Sequence, residues 1–62
     1  MTEENIAHEK AEAIIHSCET CDQIDNAQSY IDLFDEKFGN LFLTAILKGL
    51  LDVKKKELNC FN

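Results

Sequence analysis

The sequence predicts an all-α protein: a single three-helix bundle over residues 1–62, assembled as a homodimer. Three observations carry this. The chain contains no proline and only two glycines, Gly39 and Gly49, so little interrupts long helices. Its apolar residues recur at helical rather than alternating spacing. At 62 residues it buries only about 60% of its unfolded surface, so a second subunit would add stability that one small core supplies poorly.

The first helix is predicted over residues 3–17. Thr2 is placed to cap it, and Glu3 and Glu4 suit the positive end of its dipole. At 100° per residue Ala7, Ala11, Ile14, Ile15 and Cys18 share one face, with Glu9, Glu12 and His16 opposite. A break follows at Ser17–Thr20. Thr20 and Gln23 then have the spacing of a capping box, which starts a second helix over 21–38. Ile24, Ala27, Ile31, Phe34 and Phe38 form its apolar stripe, broadened by Tyr30 and Leu33. Gly39 suits the left-handed position that ends a helix.

The third helix is predicted over 41–58, with Asn40 as its cap. Its first half is apolar on almost every side, and a helix of that kind must be covered on almost every side. The first helix offers mostly small residues and the second a single stripe. Leu41, Phe42, Leu43, Ile46, Leu47, Leu50 and Leu51 are therefore expected to form a dimer seam or a partner groove as well as core. Gly49 would let another helix approach closely.

Charge is unevenly distributed. Residues 1–36 hold ten carboxylates and one lysine, whereas residues 37–62 hold five lysines and two carboxylates; the net charge is −6. With no arginine and an acidic first half, direct nucleic acid binding is not expected. Asp22, Asp25, Asp32, Asp35 and Glu36 lie away from the apolar stripe of the second helix. They are the candidate docking surface for a basic protein partner, which the sequence does not identify. A solubilising outer face is the plainer reading of the same residues.

No run of residues is long and apolar enough for a membrane span. The acidic start resembles no secretory leader, so the expected location is cytoplasmic, with Cys18, Cys21 and Cys60 reduced. His16, Cys18, Cys21 and Cys60 are the alternative, a minimal tetrahedral zinc site. A single CxxC pair is a thin basis for that, and the favoured reading has no cofactor, with Cys18 a small buried apolar residue and Cys60 in a frayed end. His8, Glu12 and His16 follow i, i+4 spacing, which in a solvated helix face needs no metal to explain it. No catalytic residues are predicted: there is no glycine-rich phosphate loop and no activated nucleophile to argue for.

The run Cys18–Ile24, between two helices, resembles the inter-helix turn of the Hha-type nucleoid-modulating proteins, small helical partners of a DNA-binding protein. The resemblance spans only these few residues and implies no role for any of them. In size and composition the chain also resembles accessory proteins of phages and mobile elements. The expected function is thus a small acidic interaction module that binds and modulates another protein, as an accessory or inhibitor protein, and not an enzyme.

Overall fold

The structure is a computed structural model and describes residues 2–60. It is an all-α bundle of three helices, α1 (Glu3–His16), α2 (Cys21–Phe38) and α3 (Leu41–Leu58), running up, down and up. Each pair of helices is in contact, so the core lies where all three meet.

Local chemistry sets the boundaries. Thr2 Oγ1 accepts from the Asn5 amide at 3.2 Å and opens α1. That helix ends at His16, one residue before the expected position, because Ser17 takes the cap and its hydroxyl donates to the Ile14 carbonyl at 2.9 Å. Thr20 and Gln23 close a full capping box: the Thr20 hydroxyl accepts from the Gln23 amide at 3.2 Å. The Gln23 side-chain oxygen accepts from the amides of Glu19 and Thr20 at 2.6 and 3.3 Å. Gly39 ends α2 at φ 60°, a left-handed conformation that costs glycine little. Asn40 caps α3 through Leu43 N–H at 3.1 Å.

The end of α3 is a Schellman turn with Asn59 in the left-handed position, φ 56°. There the Cys60 amide donates to Lys55 O at 3.0 Å and the Asn59 amide to Lys56 O at 3.3 Å. The turn folds Cys60 back against the bundle instead of leaving it frayed.

The core consists of Ala11, Ile15 and Cys18 from α1 and its exit, Ile24, Ala27, Ile31 and Phe34 from α2, and Leu47 and Leu51 from α3. Phe38, Leu43, Leu50 and Leu58 pack at its margin. Ile24, Ala27, Ile31 and Phe34 of the α2 stripe thus face inward, with Tyr30 and Phe38 half-buried at the margin, but Leu33, expected to broaden the stripe, is 63% exposed because it lies one residue past the inward edge of the helix. Thr44 is buried among these apolar groups, and its hydroxyl donates to Asp35 Oδ1 at 3.2 Å, which removes the penalty for burying it.

Candidate interaction surfaces

Helix α3 divides its apolar residues between two faces. Leu47 and Leu51 are buried in the core, and Leu43 and Leu50 are half-buried at its edge. Leu41 (78% exposed), Phe42 (74%), Val53 (55%) and Ile46 (39%) remain outside. Of the seven residues expected at a seam, therefore, four serve the monomer core or its margin. The remaining three, Leu41, Phe42 and Ile46, are joined by Val53. Phe42, Ile46, Gly49 and Val53 are spaced 4, 3 and 4 residues apart, which places them in one row along the helix. Ala45 is exposed beside that row. Asp52 and Lys56 border it and pair with each other at 3.3 Å.

The acidic residues of α2 are less uniform than their spacing suggests. Asp22, Asp25, Asp32 and Glu36 are exposed. Asp32 accepts a hydrogen bond from Gln28 Nε2 at 3.0 Å. Asp35 is half-buried and engaged by Thr44, so it belongs to the α2–α3 packing rather than to an open surface.

On the other flank of α2, a shallow groove of about 180 Å³ lies against α1, lined by Ala7, Tyr30, Leu33, Phe34, Lys37 and Phe38. The Lys37 ammonium caps its rim. It pairs with Glu3 Oε1 at 2.6 Å and stands 5.4 Å from the centre of the Phe38 ring. Its hydrogen bond and charge hold the Glu3 carboxyl below the usual carboxylate range.

The cysteines depart from expectation. Cys21 and Cys60 form a disulfide, with Cα atoms 5.5 Å apart and a sequence separation of 39. The cause is architectural. Helices α2 and α3 are both 18 residues long and antiparallel, so the first residue of one lies level with the end of the other. The Schellman turn then brings Cys60 across to Cys21. The expectation of three reduced thiols and a frayed Cys60 is corrected accordingly.

Cys18 is free and buried, and its thiol donates to Ile14 O at 3.2 Å. Burial pushes its pKa above that of an ordinary thiol, with the Lys54 ammonium opposing the shift. His16 is exposed on the end of α1. The set His16, Cys18, Cys21 and Cys60 is thus not assembled as a metal site: two of its thiols are spent on each other and a third is packed in the core. Among the described residues no three His, Cys, Asp or Glu side chains are grouped to hold a metal ion. His8 and Glu12 meet at 3.0 Å through Nδ1, while His8 Nε2 is buried without a partner and the ring lies 6.0 Å from Phe34. That imidazole serves as part of the bundle wall.

Sequence reasoning did not pick out Val53 as a surface residue or Cys21 and Cys60 as a pair. The signals were present: Val53 continues the row from Phe42 and Ile46, and helices of equal length around a two-residue connection bring their outer ends together. No helix among the described residues is long and apolar enough to cross a membrane. No protein family model, curated protein or solved structure matches the chain.

Proposed function

We propose that this protein is a small acidic interaction module that works as a homodimer and binds and modulates another protein, in the manner of an accessory or inhibitor protein, rather than an enzyme. The observation that supports this best is the outer face of α3. There Phe42 and Val53, at 74% and 55% exposure, stand in a row on a helix whose inner face is already satisfied. Apolar side chains aligned in this way on a small domain mark a surface made to be covered. The exposed acidic residues Asp22, Asp25, Asp32 and Glu36 belong to α2 and not to the α3 row, so self-association through α3 is compatible with their meeting a basic protein. The same acidic surface disfavours nucleic acid as the direct partner.

The zinc-binding alternative gains no support from the geometry, because Cys21 and Cys60 are joined to each other. A cytoplasmic location belongs to this proposal. In the cytoplasm the Cys21–Cys60 pair would be reduced at rest, and the bundle would then rest on its core alone at lower stability.

The test uses immobilised protein and lysate of the native host, with bound proteins identified by mass spectrometry. Asp25→Lys, Asp32→Lys and Glu36→Lys together should abolish capture of a basic partner while circular dichroism remains that of the wild type. Capture that survives the triple substitution would remove the acidic surface from the account.

A further inference from the structure

Gly49 is the least explained residue of α3. A glycine inside a helix costs about 1 kcal/mol relative to alanine. Inside the monomer nothing requires it: a β-carbon placed there meets no atom within 4 Å, and its φ lies in the ordinary helical range. Yet it falls at the middle of the exposed row, with Phe42 and Ile46 before it and Val53 and Lys56 after it. Ala45, also exposed, precedes it by one turn. Two small residues one turn apart, flanked by larger ones, make a shallow channel into which another helix backbone can settle.

We infer that the occupant is a second copy of α3, packed antiparallel across a twofold axis that passes through Gly49. This deepens the homodimer proposed above and rests on it. Three features select the second copy and the direction. First, the row is nearly its own complement about Gly49: reversed upon itself it sets Phe42, seven residues before, against the partner's Lys56, seven after, and Ile46, three before, within one residue of the partner's Val53, four after, with Gly49 at the crossing. A twofold interface requires such self-complementarity.

Second, charge opposes the parallel alternative. Residues 41–47 carry no charge, and of the lysines at the other end of the helix Lys56 is the exposed one beside the row, while Lys54 and Lys55 are half-buried on other faces. Parallel pairing sets Lys56 beside Lys56 and aligns two helix dipoles. Antiparallel pairing lays each Lys56 over the partner's uncharged half, where its ammonium meets the face of Phe42. Third, the chain has reason to cover this face with its own copy: Phe42, Ile46 and Val53 stand with Ala45 and Leu41 on the outside of α3, and a bundle of 62 residues with a small core gains more from a second subunit than a large domain does.

The experiment places single thiols on the full chain in a Cys18→Ala background, where the native disulfide leaves no other thiol free. A short bis-maleimide linker then joins neighbouring thiols, and sedimentation equilibrium is run on the same samples. Gly49→Cys is expected to link to itself. Lys56→Cys, about 21 Å along the axis from its own copy, should fail to self-link but should join when mixed with Phe42→Cys. A dimer in which Lys56→Cys links to itself would overturn the antiparallel arrangement and leave the dimer standing. A monomer at every concentration would overturn the dimer itself. Gly49→Phe provides a second readout: it should keep wild-type helicity yet raise the dimer dissociation constant about tenfold or more, the equivalent of 1.4 kcal/mol. An unchanged constant would refute the close approach at Gly49.

Discussion

Reducing the Cys21–Cys60 disulfide should cost this bundle much of its stability. The bond closes a loop of 39 residues, from the first residue of α2 to the turn that ends α3. Releasing a loop of that length restores chain entropy to the unfolded state worth about 4 kcal/mol. A domain of 62 residues is expected to have roughly 3–9 kcal/mol in total. In a chain this short, each kcal/mol moves the melting temperature by about 4–8 °C, so reduction should lower it by some 15–30 °C. The assay is thermal melting followed by far-ultraviolet circular dichroism, with and without a phosphine reductant. Cys60→Ser is expected to reproduce the reduced curve in both conditions, and Cys18→Ala should leave the reductant effect intact. Oxidised and reduced protein melting within a few degrees of each other would refute the reasoning, as would a non-reducing peptide map without the Cys21–Cys60 link.

Three further outcomes are expected. Leu47, fully buried at the centre of α3, should cost about 2–5 kcal/mol when replaced by alanine. Val53→Ser on the opposite face should change monomer stability by no more than about 0.5 kcal/mol; urea unfolding at low concentration compares the two. Thr20→Ala removes the hydroxyl acceptor of the capping box and should cost about 1 kcal/mol, while Thr20→Ser should recover most of it in the same measurement. Cys18, buried and with its pKa raised, should resist alkylation by iodoacetamide in the folded protein and react promptly in denaturant, as read by intact mass.

The helices were legible because their ends carry chemical markers. Thr2, Thr20 and Asn40 each have the short polar side chain that caps a helix, and each does so; Gly39 has the freedom that the left-handed stop requires. The inward face of α2 was equally plain, since Ile24, Ala27, Ile31 and Phe34 contrast with carboxylates around them. Helix α3 was harder, because apolar residues point in almost every direction along its first half. The core angle is partly hidden by Thr44, a polar residue that is buried only because Asp35 on the neighbouring helix accepts its hydroxyl proton. That partner lies in another element, so spacing within α3 does not reveal it. The outer face has its own marks in Asp52 and Lys56, which sit beside the row from Phe42 to Val53. The disulfide depends on the matched lengths of α2 and α3 and on an asparagine, not a glycine, taking the left-handed position at residue 59. Such agreement between distant elements is a property of the assembled bundle, and local patterns do not contain it.

The central claim is that the outer face of α3 is an interface. Sedimentation equilibrium of the wild-type chain beside Phe42→Asp, over a range from low to high micromolar concentration, tests it most directly. The account predicts a concentration-dependent shift of the wild type from 7.1 kDa to twice that mass, abolished by Phe42→Asp without loss of helical signal. A wild type that stays at 7.1 kDa throughout would contradict it.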